Sequence, residues 1–147
     1  MLKSFLSLFA DTPAPALSAS DAEFAIAVLL VRLARADGTY GTQEQARIDR
    51  VIAARGGLSP WEAAELRARA EEAESAAPDT VRFTRVIKDG IPYEDRIQVI
   101  EALWDVAFAD HSRDAEEDAL IRLTASLLGI NDRDSALARQ RVEAGRA

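Results

Sequence analysis

An all-α fold is what this sequence predicts, a compact helical bundle built from two helix-turn-helix halves related by a pseudo-two-fold. Three observations carry that expectation. The composition leans towards Ala, Leu, Arg and Glu, all good helix formers, with 7 Gly and 5 Pro in 147 residues. No stretch alternates apolar and polar residues over the length of a strand. One phrase also occurs twice, Ala36-Asp37-Gly38 and Ala109-Asp110-His111, each time after an apolar run and ahead of a charged segment. A glutamate follows at the same offset, Glu44 and Glu117, and the identities continue through Ala46/Ala119, Ile48/Ile121 and Gly56/Gly129. About seven helices account for the chain.

Composition bounds the function. With 48% hydrophobic and 29% charged residues the chain is a soluble globular one, about one domain long. A net charge of −7 argues against nucleic acid, which requires clustered Lys and Arg, and suits a protein that attracts cations. There is no cysteine, hence no disulfide or thiolate centre, and His111 is the single histidine. Nothing resembles a nucleophile elbow.

Residues 1–17 form a separate unit in this reading, and 18–147 the helical domain. Leu2, Phe5, Leu6 and Phe9 fall on one helical face, and the Asp11 to Leu17 stretch with Pro13 and Pro15 is a linker. The apolar part is short for a signal peptide, so docking onto the domain or a sister chain is expected rather than membrane attachment. The run from Phe24 to Ala34 is too short to span a bilayer and is interrupted by Arg32. A cytoplasmic location is the expectation.

Ser18 or Ser20 caps the first helix of the domain, with Asp21 and Glu23 in its first turn. From Phe24 to Ala36 it is apolar on nearly every face, so it belongs at the centre. Asp37-Gly38 ends it, Gly38 taking the left-handed conformation, and Gly41 adds a second flexible point. A helix from Thr42 to Arg55 turns Ala46, Ile48, Val51 and Ile52 inward and stops at Gly56-Gly57. Ser59, Pro60 and Glu62 give the clearest helix start in the chain, a capping box with proline at the first helical position. That helix runs to Ala76 with Ala63, Leu66 and Ala70 as a narrow apolar stripe, and Glu71, Glu72 and Glu74 as a solvated acidic face.

Pro78-Asp79 restarts the chain, and Phe83, Val86 and Ile87 mark a short helix ended by Asp89-Gly90. Pro92 and Tyr93 open the second apolar helix, through Ile97, Ile100, Leu103, Trp104 and Ala107 to Ala109. After the loop Asp110 to Arg113, Asp114 caps a helix with Glu117 three residues on. Leu120, Ile121, Leu123, Leu127 and Leu128 are expected inward before Gly129. Asn131 with Asp134 starts the last helix, whose Arg139, Arg141 and Arg146 suit its negative end. Neither half covers its own apolar helix, so the two pack together.

Asp37 with Glu44, and Asp110 with Glu117, sit at either end of a tight helical turn. Side by side, the two turns bring four carboxylates together, which calls for a cation or for protonation. Hard oxygen ligands favour Ca²⁺, then Mg²⁺ or Mn²⁺, and His111 and Asp114 extend the candidate set in the second turn. The turns are not EF-hands. Ala115 stands where the loop glycine belongs and Ile121 where the bidentate glutamate belongs. Each acid also has a structural role open to it, as a helix-terminal or capping residue.

The paired acidic turns, Phe83-Thr-Arg-Val-Ile, Tyr93-Glu-Asp-Arg-Ile, the run Glu101 to Asp110, and Leu128-Gly129-Ile130 together resemble the TerB-like family, related to tellurite-resistance protein TerB. The likeness covers about Phe24 to Ser135. It implies an all-helical domain of two pseudo-symmetric halves, a metal site at Asp37, Glu44, Asp110 and Glu117, and a place in bacterial stress responses. It also implies partners among stress-response or membrane-associated complexes, with a homodimer as an option. The sequence departs from the family pattern at Gly41, where acidic or polar residues are common, and at His111, where glycine is usual. The expected function is therefore a non-enzymatic, divalent-cation-binding module. The alternatives are a helical protein-interaction module with no ion requirement and, more remotely, a metal-assisted hydrolase.

Overall fold

The computed structural model describes residues 19–36, 38–77, 79–109 and 115–146, without the side chains of 19, 20, 109, 115, 116 and 146. The N-terminal segment and its linker lie outside these. Seven α-helices make up the described residues: α1 (Ala19–Arg35), α2 (Thr42–Gly56), α3 (Pro60–Ala76), α4 (Val81–Gly90), α5 (Tyr93–Ala109), α6 (Ala115–Leu127) and α7 (Asp132–Arg146). No helix among them is long and apolar enough to cross a membrane.

The all-round apolarity of α1 becomes its central position. Phe24 through Val31, with Ala22, Leu33 and Ala34, are buried, which leaves the helix no solvent face along that stretch. It packs along α3 and α4, crosses α5 and touches α2. The neighbour relations of the first half recur in the second: α1 lies on α3 and α2 as α5 lies on α7 and α6. α4 bridges the halves by packing on α1 and touching α5 and α6. Val99, Ile100, Leu103, Trp104 and Ala107 of α5 complete the shared core with Ile48, Ile52, Ile121 and Leu128.

The closing turns of α2 and α6 match in detail. Gly57 and Gly129 adopt positive φ, +64° and +75°. The next amide in each case reaches back across the helix end, Leu58 N–H to the Ala53 carbonyl at 3.0 Å and Ile130 N–H to Ala125 at 2.9 Å. This is the glycine-closed turn that satisfies terminal carbonyls. Gly129 therefore corresponds in space to Gly57 rather than to Gly56, and the first copy closes one residue later than the second.

Two positions expected inward are exposed. Ala46 is open to solvent and Leu123 is 52% exposed. The reason is register. The buried set on α6 and its closing turn is Glu117, Ile121, Thr124, Ala125 and Leu128, spaced as one helical face, which places Leu123 off it. Thr124 can take an inward place because its hydroxyl donates to the Leu120 carbonyl at 2.8 Å.

The capping signals hold. Glu62 N–H donates to Ser59 Oγ at 3.1 Å, and Ser59 N–H donates to Glu62 Oε1 at 2.9 Å. Ser59→Ala is expected to lose about 1 kcal/mol of stability, read as a lower urea midpoint at an unchanged slope. Asn131 caps α7 through its side chain, its Oδ1 accepting from Asp134 N–H at 2.8 Å and its Nδ2 donating to Asp134 Oδ2 at 3.2 Å. Asp114, expected to cap α6, and the side chains of Ser18 and Ser20, expected to cap α1, lie outside what is described.

Candidate functional site: two unequal acidic turns

The first turn leaves α1 through Gly38, at φ +81°, and enters α2 at Gly41. With no side chain at Gly41 to cap α2, Glu44 does the capping. Its Oε1 accepts from Gly41 N–H at 2.6 Å, a reciprocal helix-start contact that a carboxylate in the first turn makes well. Between them Tyr40 anchors the turn to α3. The Arg35 guanidinium lies 4.9 Å from the Tyr40 ring centre, and the Tyr40 hydroxyl donates to Glu71 Oε2.

Glu71 collects more than the tyrosine. Arg67 donates to the same oxygen at 3.0 Å and Gln45 at 3.1 Å, while Arg67 Nε also donates to Asp49 at 2.7 Å. Burial alone pushes the Glu71 carboxyl up, but the hydrogen bonds from Tyr40 and Arg67, with the Arg67 charge and the Gln45 amide, hold it below its ordinary value. Tyr40 moves the opposite way: burial, then the bond to Glu71 and its charge, push the phenol well up. Next to this cluster, Arg35 donates to Glu74 at 2.6 Å and to the Glu71 carbonyl at 3.2 Å. Arg32 donates to the Ala77 carbonyl at 3.3 Å. Glu71 and Glu74 are thus half-buried and paired, not part of a solvated face; Glu72 is exposed as expected. The arginines that interrupt the apolar run of α1 tie it to the end of α3.

The second turn spans residues outside the described set, Asp110, His111 and Asp114 among them. The helices on either side of it in the chain are described. Trp104 and Phe108 stack with ring centres 5.4 Å apart, and Arg139 of α7 lies 5.0 Å from the Trp104 ring centre. Arg141 donates to Glu101 at 2.6 Å, so two of the C-terminal arginines pin α7 to α5. At the other end of α5 the Tyr93 hydroxyl donates to Asp134 at 2.7 Å and accepts from Asn131 N–H at 3.2 Å, which fastens α5 to the start of α7. The halves meet at Arg47 and Asp105, 4.0 Å apart.

Of the six candidate ligands, Glu44 and Glu117 are described, and Asp37, Asp110, His111 and Asp114 are not. The two glutamates differ. Glu44 is half-exposed and occupied in capping, whereas Glu117 is 3% exposed with its Oε1 sealed from solvent. Among the described residues no three acidic or histidine side chains gather in a metal-sized cluster.

The repeated helix, acidic turn, helix and glycine stop, set around two buried helices, find their match in a family model. Residues 23–140 match the one described as tellurite resistance protein TerB. The chain belongs to the TerB family. No curated protein and no solved structure gives a significant match to it. For this TerB chain the Tyr40–Glu71 anchor is the feature that sequence reasoning passed over. Its signals were present: Arg67 and Glu71 at helical spacing of four, and a tyrosine inside the turn. Neither showed that Tyr40 and Glu71, on different helical units, meet.

Proposed function

We propose that this TerB chain is a non-enzymatic module of a bacterial stress response of the tellurite-resistance type, acting in the cytoplasm, whose second acidic turn takes up a divalent cation. The observation that carries the reading is the burial of Glu117. A capping carboxylate works at the surface, as Glu44 does, and has nothing to gain from being sealed off; a buried carboxylate is costly unless charge or hydrogen bonds compensate it. Beside the contact Glu117 already makes, a cation held by it with Asp110, helped by Asp114 or His111, suits a carboxylate so enclosed. Oxygen donors of this kind favour Ca²⁺ ahead of Mg²⁺ or Mn²⁺. Asp37 and Glu44 belong to the same site where the two turns cooperate. The net charge of −7 favours cation uptake in general.

Calorimetric and amide-NMR titration with Ca²⁺, Mg²⁺ and Mn²⁺ tests this. A saturable response centred on the amides around Asp110 and Glu117 is expected, with Glu117→Gln weakening it by about tenfold, the equivalent of ~1.4 kcal/mol. No saturation at millimolar cation, or shifts scattered over the helix surfaces, removes the ion from the reading. A helical interaction module is the second reading, and one observation favours it: Trp61 on α3 is 72% exposed.

A further inference from the structure

The large aromatic that α3 leaves in solvent stands over a groove. Ile52, Leu58 and Leu66 line it beside Trp61, in a space of about 590 Å³ between α2 and α3. Its rim carries two ion pairs. Arg55 meets Glu23 through two contacts at 3.2 and 3.3 Å, and Arg69 meets Glu65 within its own helix. Glu62 adds a third acid to the rim. An apolar floor with Trp at its edge and an acidic border is the kind of surface that receives the apolar face of an amphipathic helix.

We propose that the Leu2–Phe9 segment of this same chain packs into that groove in cis, laying Leu2, Phe5, Leu6 and Phe9 against Trp61, Leu58 and Leu66. Three observations single out this occupant. Its four apolar residues fall on one helical face, which has no apolar partner within the segment itself. The attachment point is close: Glu23 of the rim lies one turn into α1, about 6 Å along the axis from Ala19. Residues 10–18 span up to roughly 30 Å when extended, ample for Phe9 to reach the groove. Charge agrees as well. Both rim arginines are already paired with glutamates, and the segment brings Lys3 to an acidic border. A short tether holds the segment at an effective concentration of order millimolar, so a weak contact closes in cis before a second copy competes. The inference does not depend on the ion reading.

The chain's lack of cysteine supplies a clean test. Ser7 lies on the polar side of the segment's helical wheel, so Ser7→Cys in the full chain accepts a single nitroxide spin label without touching the apolar face. In a ¹⁵N-labelled sample of that protein, the Trp61 indole and the Leu58 and Leu66 amide peaks are expected to be lost, and to return when the label is reduced. In a mixture of spin-labelled unenriched chain with ¹⁵N wild type, the same peaks are expected to persist. Adding Trp61→Ala, an exposed position whose loss leaves the fold intact, should restore the Leu58 and Leu66 peaks. Peaks that survive in the first sample overturn the proposal. Loss in the mixture assigns the groove to the segment of a second copy and overturns it too, as does broadening centred on any other surface.

Discussion

Leu30→Ala is expected to lower the folding free energy by about 2–5 kcal/mol, a large share of the 5–15 kcal/mol typical of a domain. Leu30 is fully buried on a helix with neighbours on all sides. α3 and α4 flank it and α5 crosses it, each fixed by other contacts, so the space left by the side chain cannot close by a small shift of one neighbour. The measurement is the urea midpoint at constant slope. Leu123→Ala is the matched control, since Leu123 is 52% exposed, and its change should stay within about 0.5 kcal/mol. Equal losses at the two sites would mean that α1 is not the shared core of the halves.

Glu71→Ala comes next, at about 2–3 kcal/mol, because it strips the acceptor from Tyr40, Arg67 and Gln45 at once and leaves the arginine with Asp49 alone. Tyr40→Phe removes a single bond of the set and should cost less than half as much. The two pKa displacements give the cluster a pH signature. Glu71 is held below its ordinary value, so its contribution is complete above the normal glutamate range near ~4.3 and fades as pH falls through the lowered value. Tyr40 is pushed up, so its contribution is complete below the ordinary tyrosine value of ~10 and fades as pH climbs beyond it. Urea unfolding followed across the pH range should therefore show a plateau with a shoulder lost at each end. Glu71→Ala should flatten both shoulders; a mutant profile parallel to the wild type would dismiss the cluster as a source of stability.

The parts of the molecule legible in the sequence are those set by local chemistry. Ser59, Pro60 and Glu62 announce a helix start because the capping bonds lie within four residues. The apolar run of α1 from Phe24 to Val31 announces a central helix because no face is left for water along it. The duplicated phrase announces two halves. What stayed hidden depends on contacts between elements. Glu71 and Glu74 look like solvated acids until Tyr40, Arg67 and Arg35 are brought over them from other turns and helices. Ala46 and Leu123 look like core residues until the helix register is fixed from outside, since several apolar positions compete for one face. For the candidate site, the sequence placed Glu44 and Glu117 as equivalents, and geometry separates them. One is a half-exposed cap and the other a buried acid, a difference set by what packs around α2 and α6.

The single residue by which the closing turn of α2 trails that of α6 has a consequence for interchangeability. Adding one residue to a helix rotates everything downstream by about 100° and advances it by about 1.5 Å. α3 packs closely on α2, whereas α7 makes only a slight contact with α6, although both follow the same kind of glycine turn. The interior remains a duplicated pattern while the exterior is not one. A chimera carrying the first half twice would match core to core and still misdirect its final helix, so each half is bound to its own position in the chain.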